Sequence, residues 1–241
     1  MPATSREHAA KGAPAFAGLP EQTFRFLAGL AAHNDKAWFE AQRADYEQGY
    51  VAPAKALVAT LGPRLQAIAP AVRWEPRVNG SIFRIHRDVR FSQDKTPYKP
   101  HLDLWFWEGD RRGWDTPGFF FRLFAERLIL GAGMHKLEKV PLERFRAAVL
   151  EPRSGAALER VLTRIAAGPY RVGEPERRSL PRGFDKTHPR AALLLHEGLT
   201  ATWEGAVPRE ARSGAFVDWC LGHWRALAPL SDWLRAHVAQ G

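Results

Sequence analysis

The chain has 241 residues, 45% of them hydrophobic and 25% charged, which is ordinary globular composition and enough chain to bury a single-domain core. No run of eighteen apolar residues occurs, so no segment reads as a membrane-spanning helix. One cysteine, Cys220, excludes an internal disulfide framework and a cysteine-based zinc site, and points to a reducing, cytoplasmic setting. The formal charge is +9, and 27 of the 35 basic residues are arginine. That bias reflects either an Arg- and Ala-rich genome or recognition of phosphate and carboxylate, which the guanidinium fork suits better than lysine.

The first 19 residues carry Arg6 and Lys11 among Ala, Gly and Pro with no apolar core segment, so they read as a loose arm rather than a signal peptide. One domain is expected over residues 20–241. Phe24, Leu27, Leu30 and Ala31 form the apolar face of a first helix. Asn34 is placed to cap a second helix carrying Trp38, Phe39, Tyr46 and Tyr50. A third is expected from Pro53 to about Pro70, kinked at Gly62-Pro63. The period then changes. Residues 81–86, 101–107, 119–124 and 127–130 read as strands, the last two joined by a hairpin at Ala125-Glu126. Residues 141–150, 154–167 and 210–227 return to helix, with a last short helix after Pro229. Successive strands with short connections predict an α+β fold: helices, a mainly antiparallel sheet, then helices packed on it.

The densest polar run is residues 83–99, FRIHRDVRFSQDKTPYK. It holds Arg84, Arg87, Arg90, Lys95 and Lys99 against Asp88 and Asp94, a local charge of +3. Extended backbone would put Arg84, His86, Asp88 and Arg90 on one face, with Asp88 between two guanidinium groups. Ser92, Asp94 and Pro97 form a turn that returns Lys95, Tyr98 and Lys99 toward the arginines. Such a cluster suits an oxyanion, with arginine forks, lysine point charges and Tyr98 as a neutral donor. Equally, an Arg–Asp network can simply tie a loop to a sheet. If the site is catalytic, Asp88 is the carboxylate placed to act as base and Tyr98 or Lys95 the acid.

The run Arg84-x-x-Arg87-Asp88-x-Arg90-Phe91-x-x-x-Lys95-x-Pro97-Tyr98-Lys99 resembles the signature of an uncharacterised bacterial family, the domain of unknown function 2461 family. Upstream, FRFLAGLAAHNDKAWFEAQRADYEQ is similar to the family's opening helices, with an Asn before Trp-Phe-Glu. Downstream, Leu180-Pro181-Arg182-Gly183-Phe184-Asp185-Lys186-Thr187-His188-Pro189 is similar to its second motif. The stretch Gly131-Ala132-Gly133-Met134-His135 departs from the more Gly- and Trp-rich pattern of the family there. The resemblance carries no activity with it.

Within residues 171–190, Arg182, Asp185, Lys186 and His188 are expected to approach the first loop and complete one anion pocket; the bland reading is a solvated connection plugged into the core by Phe184. The histidines form no HxxxH or HExxH pair, and no metal or cofactor is expected, although His101, Asp103 and His86 together make a conceivable three-ligand set. Gly131-x-Gly133 lacks the rest of a dinucleotide fingerprint, and no nucleophilic triad is apparent. Cys220, Trp105 and Trp107 are expected in the core. Three functions therefore compete. The first is a binding module or enzyme for a small phosphorylated or carboxylated ligand at Arg84, Arg87, Arg90, Lys95, Tyr98 and Lys99, joined by Arg182 and Lys186. The second is nucleic-acid binding, on the net charge and on Trp105, Trp107 and Trp114 beside Arg111-Arg112. The third is a structural or interaction protein whose signature only locks the fold. Oligomeric state is not legible.

Overall fold

The computed structural model describes residues 15–109, 113 and 115–239. The chain opens with α1 (Glu21–Ala32), α2 (Lys36–Ala41), the single turn α3 (Arg43–Asp45), a π-helical turn (Tyr46–Val51) and α4 (Ala52–Gln66). Strands β1 (Val72–Arg73), β2 (Leu102–Glu108), β3 (Gly118–Leu123) and β4 (Arg127–Met134) follow, then α5 (Lys139–Leu150), α6 (Pro152–Ala166) and β5 (Arg171–Val172). After a short 3-10 turn come β6 (Leu199–Ala206) and α7 (Ala215–His237). The six strands make one antiparallel sheet in the order β1-β2-β3-β4-β6-β5. This is the α+β arrangement expected from the change of hydrophobic period. No described helix is long and apolar enough to cross a membrane.

Contacts cluster into two compact units. The first is Met1–Phe106, Phe120–Ile129 and Gly205–Gly222; the second is Trp107–Phe119, Leu130–Glu204 and His223–Gly241. In the first, Phe26 of α1 gathers Trp38, Phe39, Tyr46 and Tyr50, with ring centroids 5.8–6.3 Å away. They come from two elements, α2 and the π-helical turn, and converge on the one Phe26 ring. Packing here starts before Pro20: Phe16 and Leu19 are buried, and the Leu19 amide donates to the Ala211 carbonyl at 2.8 Å. Phe121 of β3 meets Phe216 of α7 edge-on at 5.9 Å. The N-cap of α2 is Asp35 rather than Asn34, and it accepts from the Trp38 amide at 2.9 Å. The helix α4 runs through Gly62-Pro63 without a break, and Gly62 lets the Trp74 indole lie against the backbone, where a Cβ would collide with it.

In the second unit, α6 starts where Glu151 accepts from the Arg153 and Ser154 amides at 3.0 and 2.5 Å, with Pro152 supplying a first-turn residue that needs no hydrogen-bond acceptor. The Trp233 ring packs edge-on to Phe145, and its Nε1 donates to the Ser154 carbonyl at 2.9 Å. The helix α7 continues through Pro229 instead of restarting after it. Gly133 lies inside β4 with φ of 133°, and a Cβ there would collide with the Leu199 carbonyl, so this glycine permits the approach of β6 to β4. The Gly-Ala-Gly stretch is therefore strand rather than a phosphate-binding turn. Trp105, Trp107 and Cys220 are buried as expected, whereas Arg111, Arg112 and Trp114 lie outside the described residues.

Candidate functional site

The basic loop is a closed hairpin built inside the first unit. Residues 81–83 pair with β2: the Phe83 amide donates to Asp103 and the Trp105 amide to Ser81, at 3.0 and 2.9 Å. Two residues on, the same segment changes partner. The Arg87 amide donates to the Pro97 carbonyl and the Lys99 amide to Ile85, both at 2.8 Å, around a His86–Tyr98 antiparallel bridge. Residues 81–86 are therefore not the continuous strand expected. They make isolated bridges, because the chain peels from β2 onto its own return, where Pro97 and Pro100 have no amide to extend a ladder. The side-chain alternation survives: Arg84, His86, Asp88 and Arg90 are all exposed and Ile85 is buried.

Most charged residues of the hairpin have a defined partner. Arg87, three-quarters buried, reaches across the loop to the Asp94 carboxylate, the Thr96 hydroxyl and, at 3.5 Å, Ser92. Asp94 also accepts from the Thr96 amide at 2.9 Å, and these bonds hold its carboxyl down to about 2. Asp88 takes the Arg90 fork, Nε and Nη2, at 2.9 and 2.7 Å. That hydrogen bonding, with the Arg84 charge adding a smaller pull, lowers Asp88 to about 2. Lys95 donates one proton to the Val89 carbonyl at 3.0 Å, and Lys99 lies 5.2 Å from the centre of the Phe83 ring. At the tip Phe91 is 95% exposed, with the Arg90 guanidinium 5.8 Å from its ring. A bare phenylalanine on a cationic turn is an unusual use of an aromatic side chain.

The base of the hairpin is clamped to the N-terminal helices. Asn34 donates to the Tyr98 carbonyl at 2.9 Å and accepts from the Tyr98 amide at 3.0 Å, so one side-chain amide pairs with both backbone groups of one residue. The Tyr98 ring, 3% exposed, stacks on Phe39 at 4.3 Å with the planes 18° apart, and His86 closes a third side at 5.2 Å. Burial pushes the Tyr98 hydroxyl above its ordinary value. The Asn-x-x-x-Trp-Phe motif and the Pro-Tyr-Lys end of the signature thus meet in space. Asn34 serves this contact and not the helix cap expected of it.

The second basic segment belongs to the other unit. Arg190 is its structural anchor: it donates to the Val149 carbonyl at 2.6 Å and the Leu150 carbonyl at 3.4 Å, satisfying the C-terminal end of α5, and pairs with Glu159 at 3.3 Å. Asp185 accepts from the amide and hydroxyl of Thr187 at 2.8 and 2.7 Å, and His188 Nδ1 accepts from the Arg190 amide at 3.1 Å, so both shape the turn. Arg182 and Lys186 are exposed on that turn.

Sequence reasoning named His101 and Asp103 but missed Arg122. Asp103, almost buried, accepts Arg122 Nε and Nη2 at 2.6 and 3.1 Å and stands 3.2 Å from His101 Nε2. Burial raises its carboxyl, but the bonds from His101 and Arg122 outweigh burial and leave it lowered. Tyr50 donates to the His101 carbonyl at 3.1 Å. The only signal for Arg122 was a charge interrupting the apolar run of β3. His86 is occupied with Tyr98 and Phe39, and among the described residues no group of three or more His, Cys, Asp or Glu could hold a metal ion.

A family model described as a conserved hypothetical protein, DUF2461, matches residues 22–233. No match was found among curated proteins.

Proposed function

The chain belongs to the DUF2461 family of conserved hypothetical proteins, and we propose that it binds small oxyanions, phosphate or carboxylate, on the hairpin of residues 83–99. The observation that carries this is the division of labour among the cations. Arg87 and Asn34 brace the hairpin from within and below, while Arg84, Arg90 and Lys95 are exposed on it. A braced cationic surface binds anions with little ordering cost. Lys95 keeps two protons beyond the one given to Val89, and Arg90 keeps one Nη beyond its bonds to Asp88. Arg182 and Lys186 offer exposed charge on their own turn in the other unit.

Binding fits this arrangement better than acid–base chemistry. A base working near neutral pH is best with a pKa near 7, and Asp88 is held at about 2 by Arg90. The catalytic roles of Asp88, Tyr98 and Lys95 therefore rank below a binding role. A second reading, single-stranded nucleic acid, is favoured by Phe91, since an exposed ring beside an arginine is a stacking platform for a base.

A titration of the purified protein with phosphate, pyrophosphate, a dicarboxylate and a short single-stranded oligonucleotide separates the readings. Removing a charged hydrogen-bonding partner costs roughly 1.5–3 kcal/mol, so Arg84→Ala and Arg90→Ala should each weaken a bound small anion by tenfold or more while the protein stays folded. Oligonucleotide affinity lost with salt, at a log–log slope of about −2 for three contacts, and lost in Phe91→Ala would favour nucleic acid. Variants that unfold, with no ligand response in the wild type, would mean that the signature only holds the fold.

A further inference from the structure

A second feature of the molecule belongs to the other unit, on α5. Arg146 is the only lysine or arginine among the described residues with buried N–H groups that have no hydrogen-bond partner. The two orphaned atoms are Nε and Nη2. They are also the two nitrogens whose hydrogens point in parallel from one edge of a guanidinium, the side-on fork that grips both oxygens of a carboxylate or phosphate. Leaving two buried N–H groups without an acceptor is costly, even on a side chain that is only partly buried, which makes their persistence in a fold something to explain.

The surroundings do not neutralise it. No carboxylate among the described residues lies within ion-pairing distance of Arg146. Glu197 is already claimed by Arg177 Nη1 at 2.9 Å, and Glu143 acts only through longer-range attraction. Burial, and then the like charge of Arg177, pull Arg146 below its ordinary value, with Glu197 and Glu143 opposing them more weakly. The Phe184 ring stands 5.8 Å from the guanidinium carbon. It is brought there by Gly183, whose φ of 89° lies in the left-handed region that side chains other than glycine rarely adopt. An aromatic wall beside an unpaired fork suits an organic acid: oxygens on the fork, carbon skeleton on the ring.

We propose that Arg146 is the anchor of a second oxyanion site, taking one carboxylate or phosphate group side-on between α5 and the Pro-Arg-Gly-Phe turn, with Phe184 as an apolar wall. It does not depend on the hairpin, which lies in the other unit.

The test is calorimetric titration of the full chain with benzoate, with acetate and with inorganic phosphate, repeated on R146Q and on a hairpin control, R84A/R90A. The expected result is that R84A/R90A, in which any hairpin binding is already lost, still binds, and that R146Q loses this remaining component by tenfold or more. Benzoate stronger than acetate indicates an organic acid resting on Phe184, while phosphate alone indicates a phosphoryl group. Binding of equal strength in R146Q overturns the proposal, as does a wild type that binds none of the three, which would mean that water fills the fork. If R146Q does not fold, wild-type crystals grown with selenate decide it: an anomalous peak within hydrogen-bonding distance of Nε and Nη2 is expected, and its absence refutes the site. Binding lost only in R84A/R90A would assign the anion to the hairpin and reject Arg146.

Discussion

Replacing Asn34 with alanine should loosen the signature hairpin without touching any of its charges. The side chain makes two part-buried hydrogen bonds, one to the amide and one to the carbonyl of Tyr98. A net contribution of about 1 kcal/mol each, with some further penalty for stranding the Tyr98 amide, gives a loss of about 2–3 kcal/mol. In a chain of this size, each kcal/mol moves the thermal midpoint by about 2–4 °C, so a fall of roughly 4–12 °C is expected. Urea unfolding supplies the free energy and thermal melting the midpoint. Asn34→Asp makes the assignment sharper. Its carboxylate can still accept from the Tyr98 amide but meets the Tyr98 carbonyl oxygen with no proton to donate. It should be destabilised at neutral pH and partly recover on acidification, when the protonated carboxyl regains a donor. Limited proteolysis should cut within residues 83–99 sooner in both variants. An Asn34→Ala protein within about 0.5 kcal/mol of wild type, the scatter of an ordinary surface change, would refute the clamp.

Gly155→Ala tests the joint between α5 and α6: a Cβ would collide with the Val149 carbonyl and with the Arg190 guanidinium that caps α5, so a loss of about 1–3 kcal/mol in urea is expected. The same substitution at Gly222, where a Cβ would meet open space, should be neutral or slightly stabilising. Acid sensitivity should appear in two stages. Burial lowers His196 and His223, so the unfolded chain takes up protons first, and stability should fall as pH drops below about 6.5, the ordinary histidine value. Asp88, Asp94 and Glu151, held near 2, add stability above their unfolded values near 4 and lose it as pH falls toward 2. A thermal midpoint flat from pH 7 to 5 would contradict the first stage.

Much of this protein is local and therefore legible in its sequence. Apolar spacing set the helices, and the β3–β4 hairpin followed from two alternating runs around Ala125-Glu126. The basic cluster was visible because charge density is a property of a short segment. Other features were hidden because they are relations between distant positions. Pro63 reads as a kink and Pro229 as a break, yet α4 and α7 both continue through their prolines. Asn34 has the chemistry of a cap, and only the fold reveals that Tyr98, 64 residues on, claims its side chain while Asp35 takes the cap. Tyr98 looked like a donor in a charged loop, and burial against Phe39 gives it a packing role. Arg146 drew no notice, since one arginine on an amphipathic helix looks like any other.

The sequence by itself determined the α+β class, the family and the place of the cationic hairpin, because periodicity and composition act over a few residues. The tertiary structure alone decided which cations brace the chain and which stand exposed. That distinction depends on desolvation and on partners brought together from far along the chain, and neither can be read from a local pattern.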